Sequence, residues 1–172
     1  MSKMQNLEDV LTDELKDMYS AENQILKALP KMAKASQGEL RTAFEEHLEQ
    51  TRRHAERLEK VCKELNITPK GKKCVGMEGL IGEGAEVLQT DGTEEAIEAA
   101  LIGAAQRVEH YEIAAYGTAR THARQLGHNN AAKLLEQTLD EEKMADKRLT
   151  QLAEAKINMQ AEQGGDGNMR MR

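Results

Sequence analysis

Tryptophan is absent from this 172-residue chain, phenylalanine occurs once, and aromatics make up only 2% of it. Proline occurs twice, at Pro30 and Pro69, and cysteine twice, at Cys62 and Cys74. Ala, Leu, Glu, Lys and Gln fill the space, and these are strong helix formers. A sheet protein is therefore disfavoured, and an all-α bundle is expected. The cysteines lack metal-type spacing. Cys62 falls on an apolar helix face and reads as a small core residue. No apolar run approaches the roughly 20 residues that span a bilayer. The opening MSKMQNLEDVLTDEL has no signal-peptide core. The expected compartment is the cytoplasm, where a disulfide would be out of place. Net charge is -6, and Lys and Arg are interleaved with Glu, so no basic face suits nucleic acid. The short Lys70–Lys73 cluster reads as a solvated turn.

Four long helices can be read from period-3.6 apolar stripes. The first covers residues 6–35, with Asn6 as N-cap and Leu11, Leu15, Met18, Ile25, Leu29 and Met32 as its stripe. Pro30 is expected to kink it. The second covers 38–65 and carries Phe44, Leu48, Ala55, Leu58, Cys62 and Leu65. Ser36 and Glu39 have the spacing of a capping box at its start. After the turn-rich NITPKGKKCVG, a short helix is expected near Met77–Leu88. The third long helix covers 94–126, capped by Thr93 or Asp91 and stopped by Gly127. The fourth covers 129–158. Residues 1–160 form one domain, and 161–172 are expected to be a disordered tail.

Short loops make antiparallel hairpins of the first and last helix pairs. The nearly thirty residues between them can travel the length of the bundle. The fold class is thus all-α, a ferritin-like four-helix bundle of two helical hairpins joined by a long crossover that contains a short helix. Segments HLEQTRRHAERLEKV and TLDEEKMADKRLTQL add a faint internal repeat.

Each stripe is interrupted once by polar residues. The first helix has Glu22 where an apolar residue belongs. The second has Thr51, with His47 and His54 on the same side. The third has Glu109 and Glu112, and the fourth has Glu142, followed by Asp146. All fall near the midpoint of their helices, and at about 1.5 Å per residue they share one slab across the bundle. Several carboxylates in one buried slab are costly unless compensated, and no Arg or Lys interrupts the stripes. A multivalent cation would compensate them, and carboxylate plus imidazole is a donor set for Fe, Mn or Zn. Tyr19 and Tyr116 lie near the slab and read first as amphipathic core tyrosines. His110 reads as exposed, and His122 and His128 as helix-end residues. GLIGEGAEV follows no strand and is no nucleotide loop.

The segments DMYSAENQIL, AFEEHLEQT, CVGMEGLIGEG, AAQRVEHYEIAAYG and TLDEEKMAD together resemble the YciE/YciF stress-protein family of the ferritin-like superfamily, over about residues 5–158. The resemblance implies a dimetal-carboxylate site at mid-bundle. Its metal ligands would be Glu22, His54, Glu109, Glu112, Glu142 and Asp146, with Glu141, His47 and Gln50 within reach. Two positions depart from the superfamily pattern. Thr51 stands where a bridging Glu is expected, and Ala145 where a His is expected. Gln50 also stands where YciF-like chains often carry Glu. The implied cofactor is Fe or Mn, with Zn a further candidate, at one or two ions per chain. Dioxygen or peroxide would be the small-molecule partner, and a homodimer the assembly. Two function classes stay open: a stress-response metal protein handling iron or oxidants, and a non-enzymatic scaffold with a degenerate site. No catalytic residue is assigned. A DNA-protecting cage would need basic extensions, and the tail offers only Arg170 and Arg172.

Overall fold

A computed structural model of the chain describes residues 4–164. Its helices are α1 (Leu7–Ala35), α2 (Gly38–Glu64), α3 (Val75–Gln89), α4 (Glu94–Gln125), α5 (Asn129–Leu152) and α6 (Asn158–Glu162). The helix starts follow ordinary capping chemistry. Asn6 Oδ1 accepts from Asp9 N at 2.9 Å, and Glu8 and Asp9 sit favourably in the positive first turn of α1. Thr93 Oγ1 accepts from Ala96 N at 3.3 Å at the start of α4. Both α2 and α4 end on a residue in the left-handed region. These are Asn66 at φ 56 and Gly127 at φ 81. The next amide then turns back, Ile67 N to Cys62 O and His128 N to Ala123 O.

The expected capping box does not form. Ser36 closes α1, with its Oγ donating to Met32 O at 2.9 Å. Gln37 is the N-cap of α2 and makes no side-chain capping bond. Its backbone N–H instead donates to Glu98 Oε1 at 2.6 Å, from α4. A tertiary carboxylate has displaced a local cap because the α1–α2 turn packs against the start of α4. We expect Glu98→Ala to lower stability by about 1–2 kcal/mol in urea unfolding, as for other lost caps and charged hydrogen bonds.

Around the bundle, α1 packs on α2, α2 on α5, α5 on α4 and α4 on α1, with α3 laid across α1 and α4. The buried apolar residues fall into two clusters. One joins Leu11, Leu15 and Met18 of α1 to Leu58, Cys62, Tyr116 and Leu135. The other joins Ile25 and Leu29 of α1 to Leu40, Phe44, Ile102 and Leu149. Following these clusters along each helix shows that α4 runs parallel to α2 and α5 parallel to α1, as the crossover predicts. Met77 and Cys74 of the crossover join the second cluster. Among the described residues, no helix is long and apolar enough to cross a membrane.

The fourth long helix departs from expectation at its end. Regular α-helix stops at Leu152, and Ala153–Ile157 is a π-helical turn leading into α6. Leu149, Ala153 and Ile157 are all buried. Steps of four drift around an α-helix, and the wider π turn keeps these three on the core face. Of the expected tail, residues 161 and 162 belong to α6, and residues 165–172 lie outside the described residues. The Lys70–Lys73 cluster is more than a solvated turn. Lys72 Nζ lies 2.5 Å from Asp13 Oδ2 and 3.3 Å from Asp17 Oδ1, pinning the crossover to α1.

Candidate metal centre

Between the two apolar clusters lies a polar layer. Glu22, His47, Thr51, His54, Glu109, Glu112 and Glu142 are all buried there, and Glu22, His54 and Glu142 are 0% exposed. Each sits on the inward stripe of its helix, so the same periodicity that builds the core delivers these side chains to the axis. Metal-ligand atoms fall into two groups, each with all atoms within 4.8 Å of one another: His47, Glu109, Glu112 and Glu142, and Glu22, His54 and Glu142. Glu142 belongs to both.

The two imidazoles are oriented from outside. His54 Nε2 lies 2.7 Å from Glu141 Oε2, and Arg57 grips the same carboxylate with two bonds of 2.7 and 2.8 Å. Burial pulls the Glu141 carboxyl upward, but Arg57 and His54 outweigh it and hold it below the ordinary range. An ionised carboxylate only accepts, so His54 Nε2 carries the proton and Nδ1 faces inward. Nδ1 is 2.8 Å from Glu142 Oε1 and 3.5 Å from Glu22 Oε1. His47 is arranged alike. Its Nδ1 is 3.2 Å from Gln50 Oε1. Its Nε2 is 3.2 Å from Glu109 Oε1 and 3.7 Å from Glu142 Oε2. An outer N–H held by an acceptor and an inner nitrogen aimed at carboxylates is how metal-ligating histidines are set.

The layer is strained electrostatically. Burial lowers the basicity of both histidines, yet the facing glutamates outweigh it and lift each to about 10. Burial and its fellow carboxylates hold the Glu112 carboxyl well above the ordinary range. Burial, reinforced by Glu109 and opposed by the histidines, lifts Glu142 to about 7. Burial likewise raises Glu22, against the pull of His54. In the absence of a metal, protons do the neutralising. Hydrogen bonding is poorly served even so. Among the described residues, nine buried side-chain nitrogen or oxygen atoms lack a hydrogen-bond partner, and all but Arg120 Nε belong to this layer. They include both oxygens of Glu112 and of Glu142; the inner nitrogens of His54 and His47 face carboxylates at 2.8 and 3.2 Å but outside hydrogen-bond geometry. Folded proteins rarely leave buried polar atoms so, and a metal ion could satisfy the ones concentrated here. Two divalent ions would match the four carboxylates with both imidazoles neutral, so the donor set fits the metals expected from the sequence.

Of the sequence-based candidates, the structure gathers Glu22, His54, Glu109, Glu112 and Glu142. Asp146 stands outside both groups. Its Oδ1 accepts from Gln106 Nε2 at 3.0 Å and lies 3.2 Å from His110 Nε2. One turn beyond Glu142, its side chain leaves the axis for the α4–α5 seam. His47 joins the first group in its place. The signal was present, since His47 lies seven residues before His54 on one helix face. Thr51 Oγ1 donates to His47 O at 2.9 Å and offers nothing to the layer. Tyr116 is fully buried and its hydroxyl donates to Glu22 Oε1. Tyr19 instead bonds Glu59 Oε1 at 2.7 Å, away from the layer. Arg57 is the residue that stripe reading passes over; Glu141, expected within reach of the slab, sits at its edge between Arg57 and His54.

The chain's relatives agree with this architecture. The family model "Domain of unknown function (DUF892)" matches residues 6–162. Protein YciF of Escherichia coli (strain K12) is 51% identical over 161 residues, covering 92% of this chain and 97% of YciF. The crystal structure of that stress protein superposes with a TM-score of 0.87, over 90% of this chain and 99% of YciF. YcfI of Rhodopseudomonas palustris, 41% identical, superposes with a TM-score of 0.82 over 86% of this chain and 95% of its own. A Xanthomonas campestris protein at 22% identity shares the fold, with a TM-score of 0.72 over 92% of this chain and 98% of its own.

Proposed function

Since the chain belongs to the DUF892 family, we propose that it is a ferritin-like metal protein of the stress response. Its polar layer would hold one or two iron or manganese ions, with Zn as a further candidate. The observation that carries this reading is the cluster of buried donor atoms without hydrogen-bond partners, shared between two groups through Glu142. Glu22, His54 and Glu142 would hold one ion, and His47, Glu109, Glu112 and Glu142 the other. Redox-active ions there would supply electron exchange with an oxidant. The chain's own residues do the rest. Arg57 and Glu141 fix the His54 tautomer, Gln50 orients His47, and the two apolar clusters keep bulk water from the layer. The stress role follows the E. coli relative's description as a stress protein. A cytoplasmic homodimer remains the expected setting.

Metal analysis of protein purified without chelator tests this reading. It predicts about one to two Fe, Mn or Zn per chain, or uptake of added Fe(II) or Mn(II) to that level. Protein that is metal-free and refuses both ions overturns it. We further expect Glu141→Ala to weaken metal affinity by about 10- to 100-fold, the usual cost of losing a histidine's outer partner. Competition titration against a chromophoric chelator measures this.

A second reading, a non-enzymatic scaffold, draws on Thr51 and Ala145. The superfamily pattern has ligands at these positions, and the Thr51 hydroxyl is spent on its own helix. Under that reading, metal content is zero and charge removal in the layer raises stability.

A further inference from the structure

Ala145 marks more than a missing ligand. It lies three residues after Glu142, and it lines a cleft of about 460 Å³ between α2 and α5. The inner end of that cleft is formed by His47 and Glu109 of the first ligand group. His47 is 6% and Glu109 2% exposed, and His47 Nε2 and Glu109 Oε2 are among the atoms without hydrogen-bond partners. The cleft thus ends against His47 and Glu109, at the outer edge of the layer, with Ala145 as a small residue on its wall.

The lining describes the visitor. Phe44 and Leu149 give the cleft apolar walls. Lys147 and Arg148 stand against the single carboxylate of Glu46 among its remaining charged residues, and Arg148 pairs with Glu46 across the α2–α5 seam. A cavity of roughly 150 Å³ already accommodates benzene, so this cleft exceeds the needs of dioxygen or peroxide. Its volume falls in the range of small-molecule sites with apolar walls and a few convergent polar groups. With Arg148 held by Glu46, Lys147 is the rim cation that favours an anion, and oxygen donors suit a divalent iron or manganese ion.

Resting on the metal-binding reading, we propose that this cleft binds a small organic carboxylate. Its head reaches the metal position at His47 and Glu109, and its apolar part lies along Phe44 and Leu149. A second, mostly apolar pocket of about 250 Å³ between α1, α3 and α4 also reaches His47 and Glu109. It serves as the control route.

The test uses the full chain loaded with Co(II), whose visible bands report a new ligand. Formate, acetate, butyrate and hexanoate are titrated in turn. The bands should shift, with affinity rising from formate to butyrate. Ala145→Phe should weaken butyrate at least tenfold while Co(II) stoichiometry stays unchanged, and Lys147→Glu should weaken it several-fold. Ala85→Leu, in the apolar pocket, should leave it unaltered. Ala145→Leu stands in should the Phe variant fail to fold. The proposal is overturned if no carboxylate moves the bands, or if Ala145→Phe and Ala145→Leu bind butyrate as the parent does. Failure of the parent chain to bind Co(II) would instead strike the metal-binding reading itself.

Discussion

Glu142→Gln should empty both ligand groups at once. Glu142 is the residue they share, with one oxygen 2.8 Å from His54 Nδ1 and the other 3.7 Å from His47 Nε2. Glutamine keeps the shape and can still meet His54, but it removes the negative charge that both positions use. Metal content of the variant should fall below about a tenth of the parent's, a loss of more than roughly 1.4 kcal/mol in binding free energy. Glu22→Gln should spare the first group. The metal-free variant should be as stable as the metal-free parent or more so. The substituted carboxyl is buried among like charges, and Glu142 is lifted to about 7. Opposite signs in the two states separate a lost ligand from a broken fold. Thermal unfolding with and without chelator reads both. A variant that holds the parent's full metal content would contradict the shared role of Glu142.

Adding metal should stabilise the parent chain strongly. An ion that binds the folded protein alone adds about 2.7 kcal/mol at a hundredfold excess over its Kd. For a chain of this size, that corresponds to a rise of about 5–10 °C in Tm. The apolar clusters on either side give the effect its physical route. Without an ion, helices α1, α2, α4 and α5 meet at a layer that must take up protons and still leaves polar atoms unmatched. With one, the layer becomes a cross-link among four helices. Differential scanning calorimetry with chelator and then with excess Mn(II) measures the shift. Superimposable curves would contradict it.

The bundle was legible because its signals are periodic. Leu11, Leu15, Met18, Ile25 and Leu29 all lie buried where the stripe placed them. Interruptions of that stripe were as informative as the stripe itself. Glu22, Thr51, Glu109, Glu112 and Glu142 each replace an apolar residue at mid-helix, and each is buried. What stayed hidden depends on partners distant in sequence. Glu98 caps Gln37 from 61 residues away, displacing a local serine box. Arg57 and Glu141 meet across α2 and α5, and neither lies on a stripe. Asp146 has the spacing of an inward residue, but Gln106 and His110 offer it a polar seat at the α4–α5 seam. A one-helix periodicity cannot weigh such offers, since they come from another helix.

Occupancy of the polar layer by metal ions is the point on which the proposed function stands or falls. Crystals grown from protein loaded with Fe(II) or Mn(II), measured at the corresponding absorption edge, test this most directly. One or two anomalous peaks are predicted among Glu22, His47, His54, Glu109, Glu112 and Glu142. Crystals with no peak in that layer, or with peaks only at surface carboxylates, would contradict it.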